Sequence, residues 1–199
     1  MSPESQPAAR ASKRPRRADA ERNRAALLAA AERLFDERGT DVPLDEIAKA
    51  AEVANATLYR HFATRADLIA AVYAEEVRDL DRLSDRLLDR TDPDQALTEW
   101  LRAFMRHVAT KRDLALAIPD EPDGERDGLF AGWHATMRAA AARLLARAQR
   151  DRAVPSELDA ADLLVVVSGI ALTGLPEDRL DRLLHLVRDG YRIRPAATE

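Results

Sequence analysis

At 199 residues, the chain has room for one large or two small domains and can bury about 70% of its unfolded surface. It lacks cysteine, which excludes a disulfide framework and a thiolate metal site; neither a metal nor a cofactor is expected. Ala, Leu, Arg, Asp and Glu dominate, glycine is scarce and β-branched residues rarely cluster, so the fold class expected is all-α, with about nine helices.

Residues 1–18 hold Arg10, Lys13, Arg14, Arg16 and Arg17 against Glu4 alone. Five basic residues against one acid make this arm +4, and a total charge of −4 leaves −8 for the rest. A basic arm on an acidic body suits a chain that touches phosphates at one end only. With Pro, Ser and Ala but no apolar period, the arm is expected to be disordered. It either lies along a minor groove or phosphate backbone, or serves as a solubilising tail.

Residues 19–80 read as one helical head. A first helix over 19–38 is capped by Asp19, carries Leu27, Ala31, Leu34 and Phe35 on one stripe, and stops at Arg38-Gly39. Pro43 opens the second helix, where Asp45 and Glu46 favour the positive end of the dipole. Ile47, Ala48 and Ala51 form a small apolar face, Val53 packs inside a tight turn, and Leu58 and Phe62 anchor a third helix. The rest of that third helix is Asn55, Thr57, Tyr59, Arg60 and His61. This is the layout of a helix-turn-helix over 43–62, in which one helix buttresses and the next offers short polar groups to a nucleic acid groove. Thr64 then caps a helix running to about Leu88, too long to belong to the head alone.

Residues 81–194 read as a second helical domain, with 195–199 as a tail. Asp92-Pro93 starts a helix bearing Leu97, Leu101, Phe104, Met105 and Val108. A short helix is expected around Arg112–Ile118, then a loop over Asp120–Gly128. The helix over 126–152 buries Phe130, Trp133, Met137, Ala141, Leu144, Leu145 and Ala148. Trp100, Phe104, His107, Trp133, His134 and Met137 offer a lining of aromatic walls and polar tips for a small molecule; equally, aromatics at helical spacing make plain core. Ser156 is expected to cap a helix over 157–173 that is apolar on every side around Leu163–Val167, and Gly174 and Pro176 precede a last helix with Leu180, Leu183, Leu184, Val187 and Tyr191. Such a helix must be covered all round. Either it lies at the centre of a monomer, or Leu163, Val166, Val167, Gly169, Ile170, Leu183 and Val187 form a homodimer interface, as two half-sites on a duplex would require.

The wording Ile47-Ala48, then Thr57-Leu58-Tyr59-Arg60-His61-Phe62, then Leu68, resembles the TetR family of transcriptional regulators across about residues 20–80. The stretch Leu97–Ile118, with Glu99-Trp100-Leu101-Arg102 and Val108-Ala109-Thr110-Lys111-Arg112, is similar to the C-terminal type of SbtR-like actinobacterial regulators. The resemblance implies that the third helix enters the major groove. Asn55 then reads a base edge such as adenine, and Ala56 touches a thymine methyl. Thr57, Tyr59, His61 and Arg65 match family positions that bind phosphates, and Arg60 reaches a base or a phosphate; Tyr59 is also placed to pack only. A repressor is implied, binding a pseudo-palindromic operator as a homodimer and released by a small molecule held in the C-terminal helices. An activator or a helical dimeric scaffold with altered DNA binding is the alternative.

The turn departs from the family wording. Glu52 stands where glycine commonly precedes Val53, at a left-handed position that costs roughly 1 kcal/mol against glycine. Ala54 lacks a capping side chain unless Asn55 supplies one, and Ala56 replaces a frequent glycine. No enzyme is expected, because no HExxH, glycine-rich phosphate loop or nucleophile elbow occurs, and His107, His134 and His185 lack partners at motif spacing. No apolar run approaches the roughly 20 residues that cross a bilayer, and no signal peptide precedes the first helix. A cytoplasmic protein without a membrane partner is expected.

Overall fold

A computed structural model describes residues 13–118 and 125–191. Every regular element among them is a helix: α1 (Lys13–Arg38), α2 (Leu44–Ala50), α3 (Asn55–His61), α4 (Arg65–Leu88), α5 (Pro93–Ala117), α6 (Glu125–Arg150), α7 (Ala160–Ala171) and α8 (Glu177–Tyr191). The chain forms two compact units that meet between Val72 and Tyr73, inside α4. That boundary comes earlier than the expected 80, because the Tyr73 ring already lies 4.6 Å from Trp133, centroid to centroid.

In the first unit α1, α2 and α3 pack on one another around buried Leu27, Ala31, Phe35, Ile47, Ala48, Leu58 and Phe62. Helix α1 begins at Lys13, so Asp19 lies inside it rather than capping it, and pairs with Arg22 one turn on. Lys13, Arg14, Arg16, Arg17 and Ala18 are good helix formers, and Pro15 falls in the first turn, where it interrupts no intrahelical bond. The basic arm expected over 1–18 otherwise lies outside the described residues. Gly39, at φ +81°, ends α1 and donates its N–H to Phe35 at 2.9 Å. Helix α4 opens with a reciprocal cap: Thr64 Oγ1 accepts from the Asp67 N–H at 3.1 Å, while Asp67 Oδ2 accepts from the Thr64 N–H at 2.9 Å. Two orphan donors are thereby satisfied at once.

In the second unit α5 packs on α6, α7 and α8. Asp92 caps α5 by accepting from the Gln95 N–H at 3.0 Å, with Pro93 at the first helical position. The separate short helix expected near Arg112–Ile118 is the continuation of α5 to Ala117, since neither glycine nor proline intervenes after Val108 to break it. Helix α6 starts at Glu125, so the tail of the loop expected over Asp120–Gly128 is helical; residues 119–124 are outside the described set. Helix α7 is capped not by Ser156 but by Asp159, which accepts from Ala161 N at 2.7 Å. The Gln149 amide holds the carbonyls of Pro155 and Leu158 at 3.0 and 2.9 Å, which keeps that stretch a loop. Helix α8 is tied to the start of α5 by Arg188, which donates to buried Asp94 at 2.6 and 2.8 Å. No helix among the described residues is long and apolar enough to cross a membrane.

Candidate nucleic-acid interface and aromatic cluster

The turn between α2 and α3 is a Schellman motif. The Val53 N–H reaches back to Ala48 O at 2.9 Å and the Glu52 N–H to Lys49 O at 3.1 Å, with Glu52 at φ 55°. The left-handed residue lets the chain turn sharply enough to bring α3 onto α2, and glycine meets that demand most cheaply. Glu52→Gly is therefore expected to raise stability by about 0.5–1 kcal/mol, the relief of left-handed strain less the extra backbone entropy of glycine. Urea denaturation read by circular dichroism checks this, and an unchanged or lower midpoint refutes it.

Helix α3 divides cleanly. Leu58 and Phe62 are buried, whereas Asn55, Ala56, Tyr59 and Arg60 are exposed and Thr57 and His61 are half-buried. Ala54 occupies the N-cap position with no side-chain bond, and Asn55 does not take over the task. The Asn55 amide is thus not consumed by its own helix. Tyr59 is 54% exposed, so its ring does not serve the core. Arg60 donates to Thr57 Oγ1 at 2.8 Å, which holds the guanidinium along the exposed face. His61 lies beside Phe62, with ring centroids 6.2 Å apart.

Arg65 does something the sequence did not indicate. Its Nη1 donates to the carbonyls of Thr40 and Val42 at 2.8 and 2.6 Å, clamping the connection between α1 and α2. Arg24, not singled out from the sequence, lies 5.7 Å from the Phe62 centroid in a cation–π contact; spacing along α1 carries no signal for that. Arg38 and Glu46 pair across the same unit at 2.5 Å, and this bond holds the Glu46 carboxyl below its ordinary range and the Arg38 guanidinium above its own.

The six residues expected to line a pocket separate in the second unit. Trp100 is fully buried, stacks on Phe104 at 5.6 Å and 7°, and donates its indole N–H to Leu80 O at 2.9 Å. Its one polar atom is spent, so Trp100 is core, as a tryptophan with a satisfied N–H usually is. Met137 is buried too, while His134 is exposed, 6.1 Å from the Phe130 ring. His107 and Trp133 instead gather around Tyr73, at 5.0 and 4.6 Å, with Phe130 5.2 Å from Trp133. Neither Tyr73 nor Glu76 was singled out from the sequence as a pocket residue. Burial pushes the Tyr73 phenol up to about 12, with the nearby Glu76 charge adding to it.

The residues expected at a dimer interface also fall on two faces. Leu163 and Val167 are buried within the chain, together with Ala160 and Ala171, so they are not open to a partner. Gly169 is exposed, and Ile170, Leu183 and Val187 are half-buried. On the outer face Val165 is 71% exposed and Val166 49% exposed. Leu186 of α8 is 66% exposed as well and was not singled out from the sequence.

Comparison with known proteins places both units. Residues 27–72 match the pattern of bacterial regulatory proteins of the tetR family, and residues 92–193 that of the transcriptional regulator SbtR-like C-terminal domain. The TetR transcriptional regulator SCO0520 of Streptomyces coelicolor is 36% identical, with a TM-score of 0.70 over 87% of this chain and 99% of that one. A TetR regulatory protein of Mycobacterium vanbaalenii is 32% identical, with a TM-score of 0.73 over 90% and 100%. The helix-turn-helix-type regulator EthR of Mycolicibacterium smegmatis is 28% identical over 167 residues, 79% of this chain and 73% of that one. An uncharacterized regulator of the same type in Mycobacterium tuberculosis is 37% identical over 91 residues, a match spanning 45% of each chain. Helix-turn-helix head, SbtR-like C-terminal domain and full-length structural likeness together show that the chain belongs to the TetR family of bacterial transcriptional regulators, which are DNA-binding regulators and not enzymes.

Proposed function

We propose that the chain is a homodimeric repressor that occludes a promoter by binding a pseudo-palindromic operator in the cytoplasm and is released by a small molecule held in the second unit. The observation that carries this reading is α3 itself, with Leu58 and Phe62 buried while Asn55, Ala56, Tyr59 and Arg60 remain open on one short helix. Asn55 reads a base edge and Ala56 packs on a thymine methyl; Thr57, Tyr59, Arg60 and His61 fix the helix on the backbone. Arg65 contributes by holding the head's shape, since its Nη1 is committed to the 40–42 connection. Dimerisation is supported by the large apolar side chains that α7 and α8 leave exposed, Val165, Val166 and Leu186.

Selection of binding sites from a random duplex library, followed by anisotropy titrations, tests the reading. Arg60→Ala is expected to weaken binding to every duplex alike and to reduce the salt slope by about 1. Asn55→Ala is expected to leave the slope unchanged and to lose about 1–3 kcal/mol of discrimination at one base position. Identical behaviour of the two variants refutes the assignment of roles. Absence of preference for any duplex over random competitor refutes the function.

A further inference from the structure

Within the second unit His107 is 4% exposed and its Nδ1 lies 3.1 Å from Glu76 Oε2. A carboxylate only accepts, so Nδ1 carries the hydrogen of that bond. The other ring nitrogen, Nε2, is buried and has no hydrogen-bond partner. Leaving such an atom unsatisfied costs stability, and a chain serving only its own stability would fill the place with leucine. Tyr73 stands edge-on to the imidazole at 5.0 Å, and Trp133 and Phe130 pack in turn on Tyr73 at 4.6 and 5.8 Å. The last two are half-buried where His107 is buried, so the aromatic end of the cluster is its accessible end.

We propose that His107 Nε2 receives the hydroxyl group of a neutral aromatic effector, whose ring system packs on the Tyr73–Phe130–Trp133 cluster. The choice of hydroxyl follows from the imidazole. With Nδ1 engaged, Nε2 is a lone pair in the neutral ring and an N–H in the charged one, and a single hydroxyl oxygen meets either, donating to the first and accepting from the second. The choice of a neutral molecule follows from burial, because an anion brought to Nε2 would be stripped of water beside a side chain only 4% exposed. The aromatic part follows from ring pairing, which adds to plain apolar burial when centroids lie about 4.5–7 Å apart. The assignment rests on the ligand-released regulator reading above, and gives its effector a chemical class.

Titration calorimetry of the full chain with 1-naphthol, naphthalene and 1-naphthoate tests it. 1-Naphthol is expected to bind at least about tenfold more tightly than either of the others, about 1.4 kcal/mol. His107→Phe is expected to erase the preference over naphthalene, and His107→Gln to restore part of it. Trp133→Phe is expected to remove most of the fluorescence change on binding, since Trp100 is sealed in core. Equal affinity for naphthol and naphthalene in the unaltered chain overturns the proposal without recourse to any variant, as does tighter binding of the naphthoate or no binding of naphthol. Mobility shift on the selected operator is run alongside. Operator binding that persists while naphthol fails to discriminate overturns the site and leaves the repressor standing. His107-dependent naphthol binding that never releases the operator upholds the site and removes release by this ligand.

Discussion

Val166→Glu is expected to convert the chain to a monomer and to lower its affinity for a two-half-site operator by at least about a hundredfold, the scale of the gain from joining two weak contacts. Helix α7 turns Ala160, Leu163, Val167 and Ala171 into its own subunit, and presents Val165, Val166 and Leu172 outward. Leu186 of α8 is 66% exposed as well, and large apolar side chains left this open are what an interface covers. In a two-fold pairing the same patch serves both copies, so one substitution places two carboxylates in the seam, each costing several kcal/mol to desolvate. The subunit itself is spared, because Val166 is already half in solvent. Sedimentation velocity at micromolar concentration reads the result, and a Val166→Glu chain that still sediments as a dimer removes α7 from the interface. Leu163→Ala is the informative contrast: it opens a cavity inside the subunit, so its effect falls on the melting temperature rather than on the mass.

The head was readable because its residues interact locally. The i, i+4 pair Leu58 and Phe62, the left-handed demand at Glu52, and the cap at Thr64 are all set within a few positions of chain, and the structure shows each. The second unit was less readable, because helical spacing gives a face and not the neighbour that covers it. Trp100 and His107 share one stripe of α5, yet one spends its N–H on Leu80 while the other bonds Glu76 through Nδ1 and keeps Nε2 bare. Nothing in the spacing of α5 distinguishes them; the difference lies in what α4 and α6 bring opposite. The same limit explains α7. Its run of five apolar residues reads as greasy all round, whereas in three dimensions it has an inner face and an outer one. Arg65 shows a further limit: a basic residue at a family phosphate position also clamps its own loop, which its place in the sequence did not indicate.

Leu58→Ala is expected to cost the first unit about 3 kcal/mol, within the range for a buried leucine truncated in a tight site, and to abolish detectable operator binding. Leu58 is buried at the centre of α3, and its partner on that face, Phe62, lies just past the helix end. A helix of seven residues has no stability of its own in water; it holds its shape because that face is buried against α1 and α2. Three kcal/mol is a large share of what a unit this small can muster, so α3 frays before the rest of the chain melts. DNA binding then falls without any change to a group that touches DNA. The second unit buries a separate core and is expected to keep its helices, its mass as a dimer and its naphthol affinity. Hydrogen exchange separates these outcomes: amides of α1 to α3 should lose protection in Leu58→Ala while those of α5 to α7 keep it. Loss of protection throughout the chain would mean that the two units fold as one, and unchanged protection in α3 would mean that Leu58 does not anchor the reading helix.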